Sequence, residues 1–159
     1  MDSQLLIPQH ISRMGLYSGQ IVLLNSLVAY YYEYYLLSGL LFVLYITTLI
    51  HWNKIYNKSL VKTVDIIFAV VSILSVTFRD SLRFMPKYAA LWYLSISTSI
   101  VVFIVNECLL YYQLSLPMIT DKTYIYNISV ITHIIFLHFM PNLTCIICII
   151  GSSAKSLLF

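Results

Sequence analysis

Charged residues in this chain fall in short clusters, and the intervals between them are apolar and about one membrane-crossing long. The clearest interval is residues 89–106, AALWYLSISTSIVVFIVN, which holds no formal charge. At ~1.5 Å per residue a helix there reaches ~27 Å, close to the thickness of a hydrocarbon core. Arg79, Asp80, Arg83 and Lys87 crowd its entry, and Glu107, Tyr111 and Tyr112 follow its exit. That is the polar and aromatic belt expected at lipid–water boundaries.

The same reading along the chain places spans at about 15–32, 36–51, 60–78, 89–112 and 124–140. Residues 1–14, with Gln4, Pro8, His10 and Arg13, read as an interfacial or irregular lead-in, and no cleavable leader is expected from their pattern. The run Tyr30–Tyr35 surrounds Glu33 with tyrosine, a residue of interfaces. A lone glutamate at mid-membrane costs about 2.5–3.5 kcal/mol, so Glu33 belongs at a tight turn that separates the first two spans. Asp65 lies in the first turns of the third span, and Pro86 opens the fourth. From Tyr124 to Ile150 there is no Lys, Arg, Asp or Glu. That region is too long for one straight span and too short for two, so Pro141 with Asn142 is expected to kink or end it. Residues 141–159 then form a short apolar segment and a polar tail.

The expectation is an all-α fold, a polytopic transmembrane helical bundle of about five spans forming a single membrane domain over 1–159. The count falls to four if the first span lies in the interface, and rises to six if the segment after Pro141 re-enters. Composition agrees: of 159 residues 60% are hydrophobic and 9% charged, against about 25% charged in soluble domains. A net charge of +3 spread over scattered bases offers no basic face, so nucleic acid is not an expected partner. Membrane lipids and other membrane proteins are. Bases divide almost evenly between the two sides, and orientation stays unresolved under the positive-inside rule. Cys145 and Cys148 have CxxC spacing without a second pair, and with Cys108 they read first as small packing residues, with palmitoylation or a disulfide as alternatives. The glycosylation triplets at Asn57, Asn127 and Asn142 decide nothing, because two fall in or beside apolar runs. Asn25 and Asn106 are expected to join helices by hydrogen bonds, and Ser72, Ser75, Ser95 and Ser99 to line helix contacts.

Ionisable groups at membrane depth are expensive, and each invites a functional question. Thr47 and His51 share a helix face, and a short connection brings Asp65 to the same level; His133 and His138 lie on the last span. The bland reading makes His51 with Trp52 an interfacial anchor, pairs Asp65 with Lys62 or backbone N–H groups, hydrogen-bonds His133 within the bundle and sends His138 toward headgroups. Yet a hydroxyl residue three positions before a histidine, then an aspartate, then two late histidines, resembles the membrane superfamily of alkaline ceramidases and progestin/adiponectin-type receptors. The resemblance covers two short patches. It implies a zinc ion held by His51, His133 and His138, with Thr47 and Asp65 around a metal-bound water that attacks a lipid amide. The chain departs from that family in having threonine for serine, about five spans for seven, and a spacing of five between the late histidines where the family has HxxxH. Five positions turn ~140°, so only a π-bulge or Pro141 would bring those two rings together. In composition the whole chain also resembles the Ile-, Tyr- and Asn-rich uncharacterised membrane proteins of large DNA viruses, which implies no activity.

Three functions follow as expectations. A structural or interaction role in a membrane comes first, because no complete catalytic set stands out. A zinc-dependent lipid amide hydrolase is the second, and a small channel or transporter the third, weakened by the absence of paired broken helices.

Overall fold

The computed structural model describes residues 9–53, 60–115 and 122–153, and within them every element is helical. The apolar runs leave no other choice, since backbone polar groups in lipid must be satisfied within the segment. The helices are α1 (Gln9–Tyr31), α2 (Tyr35–Asn53), α3 (Leu60–Phe78), α4 (Pro86–Ser115), α5 (Lys122–His133) and α6 (Met140–Ser153). A 3-10 turn at Asp80–Arg83 precedes α4, and a π-helical turn at Ile134–Phe139 joins α5 to α6.

Among the described residues four segments are long and apolar enough to cross a membrane: Tyr35–Asn53, Leu60–Arg83, Pro86–Tyr112 and Tyr124–Ser153. The chain is thus built as a multi-pass membrane protein. α1 carries Ser18, Gln20, Asn25 and Ser26, which lower its hydropathy, but it packs along α2 and against α6 as part of the same bundle. It begins at Gln9, inside the stretch read as a lead-in.

α1 and α2 form the expected hairpin around Glu33. The Tyr34 N–H bonds the Ala29 carbonyl at 2.8 Å and the Glu33 N–H bonds Tyr30 at 3.1 Å, so the carbonyls at the end of α1 are capped. Glu33 sits at φ 64°, where glycine would be free of strain, at a cost of about 1 kcal/mol. Arg83 closes this end of the bundle. Its guanidinium lies 3.7 Å from the centre of the Tyr34 ring, and Nη1 donates to the Glu33 carbonyl at 3.2 Å.

The main core gathers Val22 and Ala29 of α1, Leu37 and Leu41 of α2, Val76 of α3, Trp92 and Ile96 of α4, and Cys145, Cys148 and Ile149 of α6. A smaller cluster at the other end holds Trp52, Val130 and Ile134. Polar side chains join the helices: Asn25 Nδ2 donates to Asn142 Oδ1 at 2.9 Å, and Asn106 Nδ2 to Ser129 Oγ at 2.9 Å. Both asparagines therefore act as expected. Ser72, Ser95 and Ser99 are buried, as the small-residue spacing suggested. Cys145 and Cys148 are free and buried, and Cys148, with its Sγ 3.1 Å from the Tyr88 carbonyl, packs α6 onto α4.

Of the kink or end expected at Pro141, the end does not occur. Pro141 is the second residue of α6, and α6 packs on α1 and α4 with Pro141, Asn142, Cys145, Cys148 and Ile149 buried. Proline lacks an N–H, and in a regular helix its ring collides with the carbonyl four residues earlier. The π-turn ends just before it, and its wider i→i+5 bonding relieves that collision without ending the helix.

Candidate functional site: a histidine–aspartate cluster

The short connection between α2 and α3 sets the start of α3 beside the end of α2, as the spacing of Thr47, His51 and Asp65 required. Asp65 is buried among apolar side chains, where an unpaired carboxylate would be costly. Two hydroxyls meet that cost. Thr48 Oγ1 donates to Asp65 Oδ1 at 2.8 Å, and Thr47 Oγ1 lies 2.8 Å from the same oxygen and 2.9 Å from the Leu44 carbonyl, sharing its one proton between them. Both bonds fall on Oδ1. Thr48, the more buried of the pair, was not singled out from the sequence, although the tandem Thr47–Thr48 was its only available signal.

His133 and His138 come together. In the π-turn five residues span a little more than one full revolution, so positions that a regular helix would set ~140° apart share a face. Their ring centroids are 5.5 Å apart. His133 also lies edge-on to Phe103 of α4 at 6.2 Å. His138 does not reach toward headgroups: its Nδ1 is 3.1 Å from Ser18 Oγ. Ser18 gives its own proton to the Gly15 carbonyl at 2.7 Å. Nδ1 of His138 must then be the donor to Ser18, which leaves Nε2 as a bare acceptor.

His51 is partly buried, and its Nδ1 has no hydrogen-bond partner. Trp52, read as an interfacial anchor, is instead 4% exposed and packed inside. Its indole stands edge-on to His51 at 5.6 Å and to His138 at 5.7 Å. This approach is possible because α1 presents Gly15 there; a Cβ at that position would fall on the Trp52 ring. His51 lies within electrostatic reach of Asp65, Lys62, His133 and His138. All five residues expected from the sequence, Thr47, His51, Asp65, His133 and His138, therefore belong to one neighbourhood.

A zinc ion bound by three imidazoles needs each nitrogen at about 2.0–2.1 Å from the metal. Among the described residues no three His, Cys, Asp or Glu side chains are placed to hold one metal ion. The ring that meets both His51 and His138 is that of Trp52. These residues do not fit the implied zinc centre. Metal analysis of the purified chain by inductively coupled plasma mass spectrometry is expected to give well under one zinc per chain. Stoichiometric zinc, lost in His51→Ala, would overturn that.

What the arrangement does form is a cleft of about 430 Å³ between α3 and α4. Its walls are Ile66, Val70 and Ile73 of α3, Phe103 of α4 and Leu137 of the π-turn. Asp65, His133 and His138 line its inner surface, and Lys62 and Glu107 stand at one end. Ile66, Val70 and Phe103 are exposed, so the cleft opens sideways. A smaller chamber of about 50 Å³ adjoins it and shares the walls Leu44, Ala69, Ile73, Leu137 and Asn142. Comparison with protein-family models, curated proteins and solved structures finds no match to this chain.

Proposed function

We propose that the protein has an interaction role in its membrane, and that it holds a lipid in the cleft between α3 and α4. The observation that carries this reading is the lateral opening itself. Both walls belong to segments long and apolar enough to cross a membrane, so in a bilayer the cleft faces acyl chains. A void there would forfeit packing contacts, and a chain from the bilayer restores them. The polar groups are placed for an amphiphile. Lys62, Asp65 and Glu107 lie toward the start of α3 and the end of α4, while Val70 and Ile73 lie about 7–16 Å further along α3. A lipid would enter with its head beside Lys62 and Glu107 and its chain along Ile66 and Val70. The opening lies between helices, which favours a lipid over an ion crossing the bundle.

Lipid that survives extensive detergent washing, identified by mass spectrometry of the purified protein, tests this. Val70→Trp fills the cleft and is expected to lower retained lipid at least fivefold. Val71→Trp, at a residue that is exposed and lines no part of the cleft, is expected to leave it unchanged. Equal retention in both variants would remove the proposal.

A further inference from the structure

The small chamber at the side of the cleft contains two buried polar atoms that no protein group satisfies. Asn25 Oδ1 and Ser72 Oγ both lack a hydrogen-bond partner, on residues 1% and 4% exposed, and both residues line the chamber. The orientation of the Asn25 amide is set by its neighbours. Asn142 Nδ2 donates to the His138 carbonyl at 2.8 Å, so Asn142 turns its Oδ1 toward Asn25. Asn25 must answer with Nδ2, and the atom left over is its oxygen, an acceptor. Ser72 can both give and accept a proton. An unsatisfied buried polar group costs about 1–3 kcal/mol, and here two sit together in one chamber.

We infer that this chamber receives the free hydroxyl of a single-chain lipid seated in the cleft. The inference rests on the proposed lipid role of the cleft. A hydroxyl matches the pair: it donates to Asn25 Oδ1 and accepts from Ser72 Oγ. An ester carbonyl cannot donate, so a diacyl lipid leaves Asn25 orphaned. The chamber admits a CH–OH group but not a second acyl chain, given its volume of about 50 Å³. Ser72 lies seven residues after Asp65 on α3, which puts the chamber ~10 Å along the helix from that carboxylate. Lys62 lies ten residues before Ser72, ~15 Å along α3, so the hydroxyl that enters the chamber is one carried partway along the chain, with the charged head left near Lys62 and Glu107.

The test uses the full chain in nanodiscs of diacyl phosphatidylcholine, which carries no hydroxyl, and radiolabelled 12-hydroxystearate against stearate. The wild-type protein is expected to bind the hydroxyl-bearing lipid about tenfold more tightly. Ser72→Ala breaks no protein hydrogen bond, so the fold should be kept, and it is expected to erase most of that preference. Equal affinity of wild type for both lipids would overturn the inference, with water alone in the chamber, and leave the lipid reading of the cleft intact. A preference unchanged in Ser72→Ala would also overturn it. Saturable binding of neither lipid would defeat the cleft reading and this one together.

Discussion

Trp92→Ala is expected to destabilise the bundle by about 3–5 kcal/mol, read from thermal or denaturant unfolding in detergent. Trp92 is 2% exposed and stands where α4 meets the rest of the main core. Its Nε1 donates to Thr77 Oγ1 at 3.2 Å, tying α4 to the end of α3. In a bilayer the loss does not come from exposing apolar surface to water, because lipid tails are as apolar as the core. It comes from contacts that vanish around the cavity left behind. The indole also lines the small chamber, so truncation would enlarge a void of about 50 Å³ next to Asn25 and Ser72. Trp92→Phe separates the two parts. It keeps one aromatic ring and loses the N–H with part of the indole, so a smaller cost of about 1–2 kcal/mol is expected. If Trp92→Ala cost no more than Trp92→Phe, packing at this position would carry little of the stability.

Much of the fold was legible because charge marks the ends of apolar runs. α3 occupies Leu60–Phe78, the interval expected between the lysines before it and Arg79 after it. Glu33 marked a turn, since nothing inside a lipid-crossing helix would balance it, and the turn is there. The region after His133 was harder. Pro141 followed by Asn142 reads as a kink or a stop, and the π-turn upstream makes a continuous helix possible. Trp52 was misplaced for a related reason. Tryptophan after a histidine at a helix end suits an interface, and a single sequence does not show that Gly15, far away on α1, clears room for the indole. Thr47 and Asp65 were found because a short loop joins their helices. The pairs Ser18–His138 and Asn25–Asn142 span more than a hundred residues, and no local pattern announces them.

Deleting Ile135 is expected to cost about 3 kcal/mol in the wild-type background and much less in a Pro141→Ala background. A π-turn holds one residue more than the regular helix it interrupts, so removing one from Ile134–Phe139 restores i→i+4 bonding. Ile135 is 48% exposed and enters neither core cluster, which makes its side chain the least missed in the turn. The residues of α6 keep their facing, so Asn142 still meets Asn25 and Cys148 still meets the Tyr88 carbonyl. His133 and His138 become four apart on a regular helix, ~40° from one another, and remain neighbours. What changes for the worse is Pro141, whose ring is pressed back onto the Leu137 carbonyl. Pro141→Ala removes the ring, and the double variant is expected to recover most of the loss. Unfolding measurements on the two single variants and the double give the coupling between them. A deletion equally costly with proline or alanine at position 141 would mean that the wide turn is not there to accommodate the proline.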